Sequence, residues 1–178
     1  MDSVGQILID EEQLKNRIKE MGEQLSKDYE GKDLVVVGIL KGAVLFLSDL
    51  IRAIDLPLSI DFMAVSSYGA STHSSGVVRI MKDLDEEIEG RDVLIVEDIV
   101  DTGLTLHYLV ENLISRKPKS IKICCCLDKP SRREVPVDVD YVGFEIPDKF
   151  VVGYGLDYAE KYRNLPHIYV LDSKIYKK

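Results

Sequence analysis

The most constraining feature of the chain is residues 93–105, which run from an apolar strand pattern through two acids into a helix. Val93 to Val96 are apolar and mostly β-branched, which is typical of a strand buried on both faces of a parallel sheet. Residues 104–115 carry apolar side chains at helical spacing. A buried strand that feeds a helix through a short turn is the repeating unit of an open α/β fold, whose ligands collect beyond the strand ends.

The turn between this strand and helix has the composition of an anion site. The backbone amides of residues 102–105 are expected to point out of the helix N-terminus, which attracts negative charge. Gly103 lets the backbone approach a ligand closely, and the hydroxyls of Thr102 and Thr105 add hydrogen-bond donors. We therefore predict that this turn binds a phosphate.

Glu97 and Asp98 precede the turn and would repel a phosphate, so they must face another group. Sugar hydroxyls and Mg²⁺ are the two candidates, because carboxylates accept hydrogen bonds from the first and coordinate the second. An acidic pair after a strand is also common in solvated loops and helix caps. The ligand that explains the whole segment is a phosphorylated sugar.

The remaining chain alternates between strand and helix patterns, which predicts an α/β protein with a central, mainly parallel sheet flanked by helices. Its length of 178 residues predicts a single domain, residues 1–178. Helices are expected at residues 11–29, 43–54 and 104–115. Strands are expected at residues 34–40, 58–65, 77–81 (antiparallel), 93–96, 121–127, 139–146 and 168–171.

Composition limits the classes of partner. The formal net charge of −8 argues against a broad nucleic-acid surface. No apolar run is long enough to span a membrane and the first residues do not resemble a signal peptide, so we expect no membrane contact and a cytoplasmic location. Cys124, Cys125 and Cys126 are consecutive, so on a strand they alternate between faces and cannot converge on one metal. The acids of residues 83–89 are expected to form a solvated turn.

Three other predicted strand ends carry residues suited to the same ligand. Lys41 and Gly42 follow one strand, and a lysine at a helix start opposes the helix dipole unless an anion is bound there. Lys129 follows another strand and could read a carbonyl group on a base. Phe150 follows a third and could stack on a flat ring. Taken one at a time, these residues could instead be two surface lysines and a core phenylalanine.

The sequences of these segments resemble the motifs of one family. Residues 97–103, Glu-Asp-Ile-Val-Asp-Thr-Gly, resemble the phosphoribosyl pyrophosphate signature of the type I phosphoribosyltransferases, in particular the hypoxanthine-guanine branch. Residues 40–43, Leu-Lys-Gly-Ala, are similar to the family's pyrophosphate loop, which often has a second glycine where this chain has Ala43. Residues 147–158 resemble its purine-binding loop. The resemblance covers nearly the whole chain and is weakest over the first thirty residues.

This resemblance implies a type I phosphoribosyltransferase fold with a small hood, built from parts of the N- and C-terminal segments, and a flexible lid loop. It implies purine salvage: transfer of the 5-phosphoribosyl group from phosphoribosyl pyrophosphate to hypoxanthine or guanine, giving IMP or GMP, with Mg²⁺ as cofactor. It also suggests a homodimer or homotetramer. A phosphoribosyltransferase-fold regulator that binds nucleic acid is the alternative, and the acidic charge and the base-pocket residues favour the enzyme. A phosphoribosyl pyrophosphate synthetase would need two such domains.

The resemblance also implies residue roles. Asp101 is the catalytic base, although an Asp there could equally cap the following helix. The residues for phosphoribosyl pyrophosphate are Lys41, Gly42, Glu97, Asp98, Asp101, Thr102, Gly103, Leu104, Thr105 and Arg163. Those for the purine are Lys129, Phe150, Val151 and Asp157, and those for the metal are Glu97, Asp98 and Asp157. Ser67 and Tyr68 form the lid pair in a loop that could also be a plain hairpin, and Arg133 or Arg132 helps to bind pyrophosphate.

Overall fold

A computed structural model describes residues 4–67 and 78–177. Six strands form the main sheet in the order β4-β3-β2-β5-β6-β7, and every neighbouring pair is parallel except β3 and β4. These strands are β2 (Leu34–Leu40), β3 (Ser59–Ser67), β4 (Val78–Lys82), β5 (Asp92–Val100), β6 (Ser120–Asp128) and β7 (Tyr141–Glu145). The mainly parallel sheet with one antiparallel edge strand is the arrangement predicted from the sequence.

Helices cover both faces of this sheet. Alternate residues of β2, β5 and β6 pack with α1 (Glu11–Asp28) and α2 (Val44–Arg52) in one core, and the intervening residues pack with α3 (Leu104–Ile114) in another. Cys124 and Cys126 lie in the first core and Cys125 in the second, as the alternation of strand side chains predicts. All three predicted helices are confirmed, with ends that differ by one or two residues.

The central strand β5 is longer than predicted. Its apolar run is fully buried, as expected, but the strand continues through Glu97 and Asp98 to Val100 instead of ending at Val96. The extension is paired with β6, in which Glu97 lies opposite Cys125 and Val100 opposite Asp128. The two acids are therefore part of the sheet, and the ladder of hydrogen bonds holds their backbone in place.

A second, antiparallel sheet was not predicted as a unit. It consists of β1 (Gly5–Ile9), β9 (Ile168–Leu171) and β8 (Val151–Val152), in that order, and α4 (Ser173–Tyr176) follows β9. Only β9 had been expected. Both β1 and β8 are too short and too irregular in pattern to be recognised as strands from the sequence. The strand β1 is defined by pairing with β9, which is far away in the sequence.

The acids of residues 83–89 are all exposed in a segment of bends and turns, as expected, and some of them also form surface ion pairs. Both carboxylate oxygens of Asp83 accept hydrogen bonds from Arg116, at 2.8 and 3.0 Å. Asp85 pairs with Lys82, and Ile88 is buried in the α3 core. Among the described residues, no helix is both long and apolar enough to cross a membrane.

Candidate active site

The corner between β2 and α2 is the point where three segments of the site come closest. A Cβ atom placed on Gly42 would lie 1.8 Å from Oδ2 of Asp98, and one placed on Gly155 would lie 2.2 Å from the carbonyl oxygen of Gly42. No side chain fits either gap, so the backbone itself makes both contacts. The Leu40–Lys41 peptide bond at this corner is cis. Gly42 thus joins the pyrophosphate loop predicted from the sequence to β5 and to the loop after β8.

Four charged side chains surround this corner. Nζ of Lys41 lies 3.2 Å from one carboxylate oxygen of Glu160, and Nη2 of Arg163 lies 3.2 Å from the other. Arg163 is also 3.4 Å from Oδ1 of Asp157 and donates through Nη1 to the carbonyl oxygen of Gly155. Lys41 and then Arg163 hold the pKa of Glu160 below its usual range. Two cations from distant parts of the chain therefore share one anion, which is the charge arrangement that a pyrophosphate group would meet.

The two acids of β5 are electrostatically strained. Burial raises the pKa of Glu97 well above its usual range, and the neighbouring charge of Asp98 adds to this effect. Burial also raises the pKa of Asp98, whose Oδ1 accepts a hydrogen bond from the amide of Ile99. A carboxylate in this state is stabilised by a hydroxyl donor or a cation. Asp157 does not join them in a protein-only metal site, because no three metal-binding side chains converge in the described residues.

The turn between β5 and α3 has the shape expected of an anion site. Gly103 has a φ of +81°, a left-handed conformation that favours glycine, and α3 begins at the next residue. Thr102 accepts a hydrogen bond from the amide of Leu104 at 3.4 Å, and Asp101 accepts one through Oδ1 from the amide of Thr102 at 2.7 Å. Thr105 and Glu97, like this turn, line a cavity of about 260 Å³.

Arg133 holds this turn against β6. Its Nη1 donates to the carbonyl oxygen of Asp101 at 2.8 Å, and its Nη2 donates to Oδ1 of Asp128 at 2.7 Å. Both terminal nitrogens are thus engaged within the protein, and a contact of Arg133 with pyrophosphate stays a prediction. Arg132 extends toward Asp148, with 3.6 Å between Nη1 and Oδ1, and is half exposed.

Lys129 follows β6 and is largely buried, with a side chain that is 11% exposed. Its amide donates to the carbonyl oxygen of Val100, so the end of β5 fixes its backbone. Burial lowers the pKa of Lys129, whereas Asp148 and Asp101 raise it. Its only carboxylate neighbour within 4 Å, in the part of the chain that the structure describes, is Asp148 at 3.9 Å. The ammonium group is therefore poorly paired and suited to a ligand oxygen.

Phe150 directly precedes the edge strand β8, which begins at Val151. The carbonyl oxygen of Phe150 accepts a hydrogen bond from the amide of Leu171 on β9. Since successive residues of a strand direct their backbone groups to opposite sides, the amide and carbonyl of Val151 point away from β9. The ring of Phe150 is 42% exposed. A flat apolar ring thus lies beside a strand edge that no other described strand pairs with.

The lid prediction extends beyond the described residues. Ser67 is the last residue of β3, and its backbone pairs with Val78 at the start of β4. Tyr68 lies outside the part of the chain that the structure describes. The proposal of a lid rests on sequence resemblance.

Sequence reasoning missed two contacts of this site. Glu160, which lies between the two cations, is three residues from both Asp157 and Arg163, and this charge spacing was the available signal. The hydroxyl of Tyr154 donates to the carboxylate of Asp49 on α2, which ties the loop after β8 to the helix that begins at the Gly42 corner. Nothing in the sequence indicates that pairing, because 105 residues separate the partners.

Residues 5–159 match the family model of the phosphoribosyl transferase domain. The chain therefore belongs to the phosphoribosyltransferase family. Both the predicted fold class and the resemblance stated from the sequence are confirmed by this match.

The relatives define the branch of the family. The hypoxanthine-guanine phosphoribosyltransferase of Bacillus subtilis (strain 168) is 56% identical over 174 residues, which cover 98% of this chain and 97% of the relative. The crystal structure of a hypoxanthine phosphoribosyltransferase from Staphylococcus aureus matches with a TM-score of 0.97 at 54% identity, over 100% of both chains. That of a hypoxanthine-guanine phosphoribosyltransferase from Bacillus anthracis has a TM-score of 0.92 at 49% identity, over 96% of this chain and 100% of that one. The chain groups with the hypoxanthine-guanine phosphoribosyltransferases.

We expect Gly42→Ala to lower turnover about a hundredfold or more, because the added methyl group would displace the corner from Asp98 and misplace the reacting groups. Steady-state kinetics and the melting temperature would be measured together. Gly90→Ala is the control, since it adds the same methyl group with nothing within 4 Å of the new Cβ, and its positive φ makes it the more strained substitution of the two. Equal losses of activity in the two variants would show that the Gly42 contact has no special role.

Proposed function

We propose that this protein transfers the 5-phosphoribosyl group of phosphoribosyl pyrophosphate to hypoxanthine or guanine, which yields IMP or GMP and pyrophosphate and serves purine salvage. The proposal is carried by the position of two side chains, the exposed ring of Phe150 and the poorly paired Lys129. They follow β7 and β6, which belong to the same sheet as β5, and β5 leads into the residue 101–105 turn. Its relatives of the hypoxanthine-guanine branch support the same activity.

Phosphoribosyl pyrophosphate has three parts, and each has a proposed partner. The 5′-phosphate would bind residues 101–105, where the helix N-terminus and two threonine hydroxyls supply donors. Glu97 and Asp98 would accept hydrogen bonds from the ribose hydroxyls, with magnesium as their other proposed partner. The pyrophosphate would bind Lys41 and Arg163, the two cations that now share Glu160. Anion-binding groups at both ends of the site, with the two acids of β5 between them, would orient the sugar.

Mg²⁺ fits this donor set through substrate oxygens rather than through a protein cage. Magnesium is usually held by one or two carboxylates together with phosphate oxygens and waters. We propose Asp157 as the protein ligand, because its side chain is 31% exposed beside Arg163. Glu97 and Asp98 are the further metal candidates. When bound, the ion would offset negative charge on the pyrophosphate leaving group.

The purine would bind against Phe150 and the edge of β8. We propose that the ring of Phe150 stacks on the base, that the outward backbone of Val151 reads its edge, and that Lys129 donates to its 6-oxo group. We propose that Asp157 also contacts the purine. A charge-assisted hydrogen bond from a largely buried ammonium group is strong and favours an oxo group over an amino group.

Departure of pyrophosphate leaves positive charge on the ribose ring, as in the cleavage of other glycosidic bonds. The carboxylates of Glu97 and Asp98 would stabilise that charge, and Lys41 and Arg163 would hold the leaving group. Asp101 would accept the proton of the attacking purine nitrogen. Its Oδ1 is engaged by Thr102, and among the described residues no protein donor reaches its Oδ2. We also propose that Ser67 and Tyr68 belong to a lid that excludes water.

The wider organisation is likewise proposed. Residues 1–178 would act as a single domain, with the β1-β9-β8 sheet as a hood beside the purine. Three unpaired cysteines are typical of a reducing compartment, so we propose a cytoplasmic location. A homodimer or homotetramer, with no nucleic-acid or membrane partner, remains our prediction for the assembly.

The activity is tested by incubating the purified protein with phosphoribosyl pyrophosphate, Mg²⁺ and each of hypoxanthine, guanine, xanthine and adenine. We expect nucleoside monophosphate from hypoxanthine or guanine and little from adenine, because Lys129 would face an amino group there. Product formation is measured by chromatography with and without a chelator. The proposal fails if neither hypoxanthine nor guanine is converted.

We expect Asp101→Asn to lower kcat by about 10²- to 10⁴-fold, because an amide cannot accept the proton, while the KM for phosphoribosyl pyrophosphate changes little. The exposed Asp55, remote from the site, provides the matched control Asp55→Asn. Losses of similar size in kcat and in binding of phosphoribosyl pyrophosphate would make Asp101 a structural cap.

Lys129→Met should raise the KM for hypoxanthine and guanine by about ten- to a hundredfold, the range for loss of a hydrogen bond from a charged group. The KM for phosphoribosyl pyrophosphate should be nearly unchanged. Lys119→Met, at an exposed position that directly precedes the other end of β6, is the control. An unchanged KM for the base would exclude Lys129 from base recognition.

A further inference from the structure

Phe150 is part of a three-ring aromatic cluster that links the base site to the last helix of the chain. The ring of Tyr176 on α4 is stacked on Phe150, with centroids 5.3 Å apart and planes inclined by 25°. Tyr158 approaches Phe150 at 5.8 Å with nearly perpendicular planes, and lies 6.4 Å from Tyr176. Both geometries are among those that aromatic pairs favour.

The arrangement of the three rings leaves one face of Phe150 uncovered by the others. Since their centroids form a nearly equilateral triangle, Tyr158 lies beside the pair rather than on the far side of Phe150 from Tyr176. Tyr176 covers one face of the ring, and Phe150 remains 42% exposed. Among the described residues no aromatic ring covers the opposite face, which is the face we assign to a flat ligand.

Backbone hydrogen bonds fix Tyr176 relative to Phe150. The amide of Leu171 donates to the carbonyl oxygen of Phe150, and the amide of Asp172 donates to that of Val4. Asp172 caps α4 by accepting from the amide of Lys174 at 3.0 Å. The residues that lead into α4 are thus bonded both to Phe150 and to Val4, so the sheet fixes the position of Tyr176.

We propose that Tyr176 is a positioning residue for the purine, which rests on the proposed function. Tyr176 packs against the rear face of Phe150 and keeps the front face in the plane that stacks on the base. Without this support the ring of Phe150 would gain rotamer freedom, and part of the stacking free energy would be lost when the base orders it again. The residues proposed for phosphoribosyl pyrophosphate do not include this ring, so its binding should not change.

The test compares Tyr176→Leu, Tyr176→Phe and the unaltered protein, with hypoxanthine and phosphoribosyl pyrophosphate varied in turn. Tyr176→Leu should raise the KM for hypoxanthine about two- to tenfold, the range for loss of one aromatic pair. Tyr176→Phe keeps the ring and should restore the KM to within about twofold of the unaltered protein. The KM for phosphoribosyl pyrophosphate should stay the same in all three.

The control is Tyr108→Leu, at a partly exposed tyrosine on α3 that is not in the cluster. An unchanged KM for hypoxanthine in Tyr176→Leu would overturn the proposal. So would a lower KM, which would mean that Tyr176 obstructs the base, and so would equal rises in both KM values. These outcomes require an active unaltered protein, whereas failure of the proposed function would appear as inactivity of that protein.

Discussion

The pairing of β5 with β2 on one side and β6 on the other is the interaction on which the rest of the molecule depends. Residues 93–96 are completely buried, and full burial of each such side chain contributes about 1.5–3 kcal/mol. Because alternate side chains enter two different cores, a slip of one residue would exchange both sets. The register is therefore strongly specified, and it aligns the ends of β2, β5 and β6 at one edge. Gly42, Asp98 and Lys129 come together as a consequence of core packing.

The candidate site brings cations and acids together at the β2 corner. Lys41 and Arg163 share Glu160 there, and Asp98 of β5 packs against Gly42. Arg133 adds a further cation, which bonds the backbone of the residue 101–105 turn to Asp128. A strongly charged site is thus assembled in a chain with a net charge of −8.

Local patterns were sufficient to predict the main sheet and its helices. Buried parallel strands and amphipathic helices have strong periodicities, and the phosphate turn is contiguous in the sequence, so residues 97–105 could be read directly. The second sheet could not be predicted, because β8 has only two residues and is a strand solely through its pairing with β9. Contacts such as Glu160 with Lys41 and Tyr154 with Asp49 were missed for the same reason. They join residues that are neighbours only after folding.

The β1-β9-β8 sheet also has a kinetic consequence. Its strands pair residues 5–9 with residues 168–171, so the sheet forms only after nearly the whole chain has been closed into a loop. Contacts of such high sequence separation carry a large entropic cost and slow the folding of a domain. The position of the aromatic ring beside β8 therefore depends on contacts between residues that are very far apart in the sequence, whereas the phosphate turn is formed by local contacts. The two halves of the site thus differ in the sequence separation of the contacts that form them.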